Sequence, residues 1–340
     1  MRTTAGGPLH IELSSAPSWS LLADEDVLSV VQFGAGPSWS ADPRHVVTGF
    51  TLLGAGPPGS GSAGIESIAE VWRVDGAVQV GTREMLRYAV SRDYLFGQIE
   101  IAADSTPAFA AASKAAYVQL LRCCQDLGYP HVLRIWNVLS GINEGAGDAE
   151  RYRVFCQGRY DAFVEAARLP VYPAASALGP AAGPSLLYFL AGRAPAHLIE
   201  NPQQLSAFRY PRDYGPASPS FSRAGLVRCG DELRLFISGT ASILGHRSCH
   251  EGDLLGQLDV TLQNLARVAA ASQVPGALFA HDNLQTQLRI YLRNSADLET
   301  VSQALAARVS PSVGCLFVQA DICRRELLLE IEATVSWREG

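Results

Sequence analysis

Arg159 interrupts an otherwise apolar stripe in a segment with helical spacing. A helix is predicted over about residues 148–167, and at about 100° per residue one face of it carries Tyr152, Phe155, Arg159, Phe163 and Ala166. A buried guanidinium without a partner is too costly to persist, so an anion must meet it. That anion is either an Asp or Glu of a neighbouring strand or a substrate carboxylate bound through two hydrogen bonds.

A second group of functional side chains lies at residues 209–214, Arg-Tyr-Pro-Arg-Asp-Tyr. Tyr210 offers a flat apolar wall with a hydroxyl, and Arg212 offers a cation, which together suit a small ring-shaped acid. The same residues also fit a surface loop in which Arg212 and Asp213 are solvated. The motif by itself does not decide between these interpretations.

Glu330 is embedded in an apolar strand, Leu-Leu-Leu-Glu-Ile-Glu at residues 327–332. Strand alternation places Leu328, Glu330 and Glu332 on one face. A carboxyl group flanked by apolar surface has a raised pKa, which suits proton transfer near neutral pH. The alternative is a glutamate that faces solvent at a sheet edge, and Glu332 is the better candidate for that position.

Several well-known catalytic and binding patterns are missing. Gly239–Ser242 follows a strand but lacks the remainder of a phosphate-binding loop. The absence of GxSxG argues against an α/β-hydrolase triad. His246 and His250 are four residues apart but lack the glutamate of HExxH. We therefore expect no bound metal, and no motif calls for an organic cofactor.

Composition sets the class of protein. The 340 residues are 48% hydrophobic and 18% charged, with a formal charge of −6. This balance is typical of a globular protein and argues against nucleic-acid binding, which needs a basic face. The first 15 residues lack the apolar run of a signal peptide, and no run reaches the roughly 18 apolar residues of a membrane span. The seven cysteines show no CxxC spacing, which favours free thiols in the cytoplasm.

The elements that must position these residues occur twice along the chain. The first copy is a strand YLFGQIEI, a helix from about Ser113, a strand VLRIWNVL, a second helix and a strand SLLYFLAG. The second copy has a strand LRLFISGTASI, a helix from about Asp253, a strand LRIYL, another helix and the strands CLFVQAD and ELLLEIEATV. In this alignment Arg134 corresponds to Arg289, and Glu200 to Glu330.

The repeat predicts an α+β fold of two units, each a mixed sheet with helices on one face. We predict an N-terminal domain over residues 1–200, which includes an extended N-terminal segment, and a C-terminal domain over residues 201–340. The Pro/Ala/Gly-rich residues 171–184 are typical of a linker or insertion. The aromatic-rich connection 201–225 is long, which favours a functional role and an active site between the two domains.

The second copy resembles a RidA/YjgF-like unit. The stretches that carry this resemblance are FISGTAS, LDVTLQNLARVAAAS and LLLEIEATV. The arginine that RidA deaminases have eight residues before the first glutamate of the closing strand is replaced by Ile322, which disfavours imine hydrolysis. Because RidA-like units trimerise, two such units and the N-terminal segment imply a pseudo-trimer-like arrangement and a monomeric chain.

Over about residues 90–335 the chain is similar to the chorismatases, which have two RidA-like halves. The matching stretches are ERYRVFCQGR, IENPQQLSAFRYPRDYGPASPSFSRAG, FISGTASILGH and ADICRRELLLEIE. The resemblance implies a cofactor-free enzyme that removes the enolpyruvyl group of chorismate as pyruvate. It implies Glu330 as the catalytic carboxyl group, Tyr152, Arg159 and Arg212 as ligands of the two substrate carboxylates, and Tyr210 beside the ring.

The resemblance also bears on the product. Members of the aromatising type, which form 3-hydroxybenzoate, have a cysteine seven residues before the catalytic glutamate, and Cys323 stands there. A thiol can donate a weak hydrogen bond to a ring oxygen, although a small buried cysteine is also common. We therefore predict a 3-hydroxybenzoate synthase. The alternatives are a hydrolase that forms a dihydroxycyclohexadiene carboxylate, and a RidA-like metabolite-binding protein without catalysis.

Overall fold

Three β-sheets surround a common core, as a computed structural model of the chain shows. The structure describes residues 6–36, 40–60, 65–103, 105–167, 171–279 and 284–338. One aromatic ring from each sheet meets in the centre: Trp72 lies 5.7 Å from Trp136 and 6.0 Å from Phe236, measured between ring centroids. The inner faces of all three sheets therefore share one apolar core.

The N-terminal segment supplies the first sheet and one strand of another. Its elements are β1 (Leu9–Ser14), α1 (Ser18–Leu21), β2 (Val27–Gly34), β3 (His45–Val47), β4 (Thr51–Gly56) and β5 (Ser67–Val74). Four of these strands form a sheet in the order β1-β5-β2-β3. This sheet contacts both others, so the extended N-terminal segment contributes a third layer to the fold.

The first repeat contributes six strands to a seven-stranded sheet. Its elements are β6 (Gln79–Arg83), β7 (Leu86–Val90), β8 (Tyr94–Glu100), α2 (Thr106–Asp126), β9 (His131–Val138), α3 (Arg151–Glu165), β10 (Ala174–Gly179), β11 (Leu186–Gly192) and β12 (His197–Ile199). Strands β6 to β11 belong to this sheet. Ser105 caps α2 by accepting a hydrogen bond from the Ala108 amide. Both helices cover the outer face of the sheet and form a separate core with it.

The second repeat contributes five strands to the other seven-stranded sheet. Its elements are β13 (Ala224–Cys229), β14 (Glu232–Thr240), β15 (Ile243–Leu244), β16 (Arg247–Ser248), α4 (Leu254–Ala271), β17 (Gln285–Leu292), α5 (Leu298–Ala306), β18 (Gly314–Gln319), β19 (Asp321–Ile322) and β20 (Leu329–Arg338). Strands β15 and β16 pair separately. Four single-turn 3₁₀ helices are also present in the described residues, at Gly147–Ala149, Ala207–Arg209, Arg212–Tyr214 and Ser295–Asp297. Asp253 caps α4, and α4 and α5 cover the outer face of this sheet.

The two large sheets repeat one strand order. The order is β19-β10-β9-β11-β8-β7-β6 in the first and β12-β13-β14-β20-β17-β18-β4 in the second. Strands β9 and β17 are equivalent, each parallel to one neighbour and antiparallel to the other. The predicted α+β class and the internal repeat are confirmed, and Arg134 and Arg289 occupy these equivalent strands.

The predicted equivalence of Glu200 and Glu330 is wrong. Glu330 lies in β20, whose counterpart by strand order is β11, not the segment after β12 that contains Glu200. Strands also cross the division predicted at residue 200: β4 and β12 join the second large sheet, and β19 joins the first. None of the helices in the described ranges combines the length and apolar character needed to cross a membrane.

Candidate active site

A cavity of about 200 Å³ lies where the two large sheets meet. Strands β10 and β14 lie side by side there, and the Gly239 amide donates to Ser176 Oγ over 2.9 Å. The lining comes mainly from α3, β10, β14, β20, the connection after β12 and the segment between β19 and β20. It includes five of the six predicted site residues, namely Tyr152, Arg159, Tyr210, Cys323 and Glu330.

Glu330 lies on the inner face of β20 with its carboxyl group at the cavity. A Cβ atom at Gly239 would overlap Glu330 Oε1, so only glycine leaves room for the carboxyl group here. Burial, and secondly the charge of Glu332, raises the pKa of Glu330 to about 8, against the opposing effect of Arg134 and Arg223. No hydrogen bond between described residues engages this carboxyl group. The raised pKa of Glu330 favours its protonated form near neutral pH.

Glu332 is also buried, so the expectation that it faces solvent is wrong. Its carboxylate accepts hydrogen bonds from Ser176 Oγ at 2.5 Å, Arg134 Nη2 at 2.8 Å and Trp136 Nε1 at 2.9 Å. Arg289 Nη1 lies 2.9 Å from Oε1 of this carboxylate. Although burial acts in the opposite direction, the two arginines and these donors lower the pKa of Glu332 and keep it ionised.

Arg159 is buried, with 3% of its surface exposed, and it lacks an acidic partner among the described residues. Its Nε and Nη2 atoms have no hydrogen-bond partner in the described part of the chain. Aromatic rings surround the guanidinium, with Tyr117 at 5.3 Å and Phe163 at 5.9 Å from Cζ to the ring centroid. The predicted ion pair with a neighbouring strand is not found in the described part of the chain, so Arg159 is available to a ligand anion.

Arg212 is not brought to the cavity. Its side chain is 63% exposed, and it forms a two-pronged ion pair with Asp148 at 2.8 and 2.5 Å. The surface-loop interpretation therefore describes Arg212, and its prediction as a ligand of a substrate carboxylate is not supported by this position. The 3₁₀ turn at Arg212–Tyr214 directs it away while Asp213 and Tyr214 line the cavity.

Arg223 takes a place in the cavity that the sequence reasoning missed. It is buried, donates to Tyr210 Oη at 2.8 Å and to the Leu205 carbonyl at 3.1 Å, and its Nε atom has no partner among the described residues. Arg324 is a second missed cation, with its Cζ 4.1 Å from the centroid of the Tyr214 ring. The sequence positions of both arginines could have identified them as candidates, because Arg223 is near the end of the aromatic-rich connection and Arg324 follows Cys323.

Tyr152 and Cys323 are neutral hydrogen-bond donors at the cavity. Burial, followed by the nearby Cys156, Cys323 and Glu330, raises the pKa of Tyr152 well above its usual value. Burial, and secondly the neighbouring Glu330, raises the pKa of the Cys323 thiol. Cys323 is therefore a poor thiolate nucleophile, and its position suits donation of a weak hydrogen bond.

Comparisons with known proteins agree with this arrangement. Residues 70–191 match the family model for chorismatase FkbO/Hyg5-like proteins, N-terminal. A 3-hydroxybenzoate synthase of Streptomyces hygroscopicus is 37% identical over 79% of this chain and 82% of its own length. A chorismatase of the same organism is 39% identical over 80% of both chains. A crystal structure of a chorismatase, 34% identical, superposes with a TM-score of 0.83 over 98% of this chain and 100% of that one. The chain belongs to the chorismatase family.

Proposed function

We propose that the chain converts chorismate into 3-hydroxybenzoate and pyruvate. The observation that carries the proposal is a buried carboxyl group, Glu330, with a raised pKa, at a cavity with two buried arginines whose nitrogen atoms lack some partners among the described residues. An acid that holds its proton at neutral pH is what cleavage of an enol ether needs. Two buried cations, Arg159 and Arg223, match a substrate with two carboxylates.

Binding of the substrate follows from these cations. Arg159 and Arg223 each receive one carboxylate through charge-assisted hydrogen bonds, with Tyr152 as a further neutral donor. Arg223 thus takes the role first predicted for Arg212. Tyr210 is held by Arg223 and forms a wall for the ring. Arg153 and Arg324 also line the cavity, so arginines outnumber the acidic residues of its described lining, which favours a dianion.

The reaction begins when Glu330 donates its proton to the methylene carbon of the enol ether. The bond between the ring and the ether oxygen breaks, its electron pair goes to that oxygen, and pyruvate leaves as the ketone. The oxygen of the neighbouring ring hydroxyl forms a bond to the vacated carbon and closes an epoxide, and the hydroxyl proton returns to the Glu330 carboxylate. The bond from this oxygen to its original carbon then opens with its electron pair on the oxygen. The carbon that received the oxygen loses its hydrogen as a proton, the oxygen takes up a proton, and the aromatic ring of 3-hydroxybenzoate results. All atoms of chorismate appear in the two products, so the reaction consumes no water and no further reactant.

Cys323 is proposed to favour aromatisation over hydrolysis. Its thiol lies at the cavity beside Glu330 and donates a hydrogen bond to the ring oxygen during transfer. We also propose that the enzyme works as a monomer in the cytoplasm, in keeping with its seven free cysteines.

The test is incubation of dialysed protein with chorismate, without added cofactor, and chromatography of the products. We expect 3-hydroxybenzoate and pyruvate in equal amounts. A dihydroxycyclohexadiene acid would instead identify the hydrolase. No pyruvate above background, with binding of chorismate retained, would indicate a non-catalytic binding protein.

Two variants test the roles proposed for Glu330 and Cys323. We expect Glu330→Gln to abolish turnover while calorimetry still detects chorismate binding, and Cys323→Ala to release pyruvate with a smaller share of 3-hydroxybenzoate. Cys249→Ala is the matched control, because Cys249 does not line the cavity. An unchanged product ratio in Cys323→Ala would remove the role proposed for its thiol.

A further inference from the structure

A row of buried charges leads from the N-terminal sheet to the catalytic strand. Glu70 Oε2 of β5 lies 2.7 Å from Arg289 Nη2 of β17, and Arg289 Nη1 lies 2.9 Å from Glu332 Oε1 of β20. Glu332 Oε2 lies 2.8 Å from Arg134 Nη2 of β9. The row therefore runs anion, cation, anion, cation, and it draws one member from each of four strands in three sheets.

We propose that Glu70, Arg289 and Glu332, none of which lines the cavity, are positioning residues for catalysis. By fixing an anion behind Glu330, they keep the proton on the acid that protonates the substrate. This inference rests on the proposed role of Glu330. It assigns the N-terminal segment a part in the reaction, although that segment does not line the cavity.

Burial makes this row rigid and its charges strong. The exposed fractions are 6% for Glu70, 1% for Arg134, 4% for Arg289 and 6% for Glu332. Trp72 Nε1 holds the other oxygen of Glu70 at 2.9 Å. Tyr188 Oη and Tyr291 Oη accept from Arg289 Nη1 at 3.0 and 3.3 Å. Charges in such a site are poorly screened, so each of them acts on its neighbours over several ångströms.

Charge balance explains why Glu330 stays protonated. The two anions and two cations of the row sum to zero, so the row offers no net positive charge to stabilise ionised Glu330. Strand alternation places Glu330 and Glu332 on the same face of β20, two residues apart. Among the described residues, the Arg223 cation and the neutral Tyr152 and Cys323 also act on Glu330, and the Arg159 cation lines the same cavity. Arg134 faces it as well, but it is bound to Glu332 and Ser176.

Removal of the outermost charge, in Glu70→Gln, tests the proposal. The row then carries one excess positive charge, which stabilises ionised Glu330. We expect the fall of kcat/KM at alkaline pH to move to lower pH by about one unit, the scale of effect of one poorly screened charge. The double variant Glu70→Gln/Arg289→Gln restores the charge balance, and its alkaline limb should return towards the wild-type position.

Arg234→Gln is the matched control. Arg234 is a buried arginine on the same sheet that donates to Ser336 and makes no contact with Glu332. It should lower stability without moving the pH profile. If Glu70→Gln acted through a change of packing alone, Glu70→Gln and Arg234→Gln would have the same effect on the pH profile.

The outcomes separate this inference from the proposed function. If Glu330→Gln retains turnover, the proposed role of Glu330 fails. If Glu330→Gln is inactive but Glu70→Gln keeps the wild-type alkaline limb, only the role of the charge row is overturned. Should Glu70→Gln not fold, Glu332→Gln removes the nearer anion while its amide keeps the side-chain shape. An alkaline limb in Glu332→Gln at or above the wild-type position would equally overturn the inference.

Discussion

Glu330 and Glu332 belong to one strand and point to one side, yet they hold opposite protonation states. Glu332 is bound by two arginines, an indole and a hydroxyl, which together offset the cost of desolvating its charge. Glu330 faces the cavity and is near the charge of Glu332. Burial, followed by this charge, raises the pKa of Glu330. At the scale of single residues, two glutamates two positions apart on one strand thus differ in charge: Glu330 is the acid, and Glu332 is the fixed anion beside it.

This difference predicts that Glu330→Gln is more stable than the wild type at pH 8. Between about 4.5, the ordinary pKa, and about 8, the folded chain keeps a proton that the unfolded chain releases. The wild-type free energy of unfolding therefore falls as pH rises through this range, whereas the amide does not titrate. Thermal unfolding at pH 5, 6.5 and 8 should show a gain in Tm that grows with pH. Glu251→Gln, at an exposed position, should show no such trend, and an equal Tm difference at all three pH values would contradict the prediction.

Arg159 makes a second prediction, because it is buried without a partner in the described residues. Arg159→Met keeps a long side chain in the aromatic surroundings and removes the cost of a buried charge. We expect unchanged or higher Tm together with about 10- to 100-fold weaker chorismate binding, the value of a charge-assisted hydrogen bond of about 1.5–3 kcal/mol. Calorimetry and thermal unfolding measure both quantities. A large loss of stability would instead show that a structural ion pair had been broken.

At the scale of elements, β14 makes room for the Glu330 carboxyl group. Its pairing with β20 shifts register between Ile237 and Thr240, and Gly239 lies inside that irregular stretch. Gly239→Ala should displace the Glu330 carboxyl group, because the added methyl group would occupy its position. We expect at least a tenfold loss of kcat with a folded protein, as measured by steady-state kinetics and circular dichroism.

Gly314→Ala provides the comparison for Gly239→Ala. Gly314 is also a strand glycine of the second large sheet, but a Cβ atom there would meet nothing closer than 3.9 Å. It should retain wild-type activity. Equal kcat in the two variants would mean that the carboxyl group does not need the space above Gly239.

The secondary-structure elements also explain which site residues could be predicted from the sequence. Helical periodicity and strand alternation identified Arg159 and Glu330, since both patterns are local. The burial of Glu332 could not be predicted, because its partners Arg134 and Arg289 come from two other strands in two sheets. Arg212 was predicted from the 209–214 motif and the family resemblance, and Arg223 was missed. Residues 201–225 have no periodicity from which the direction of a side chain can be inferred.

At the scale of the whole molecule, the three sheets complete each other within one chain. The inner face of each sheet is buried in the common core, and helices cover the outer faces of the two large sheets. The N-terminal sheet contributes Trp72 to that core and Glu70 to the charge row. Because closure of the core needs all three sheets, we expect the catalytic charge balance and the fold to be lost together when the N-terminal sheet is removed.

The same closure predicts the state of assembly. Units that expose one face of a sheet must associate to bury it, but here the third sheet comes from the same chain. We expect light scattering coupled to size-exclusion chromatography to give the mass of one chain, 36.4 kDa. The mass should not change over a tenfold range of protein concentration, since a weak association would follow mass action. A discrete species of twice or three times that mass would show that a surface outside the common core holds subunits together.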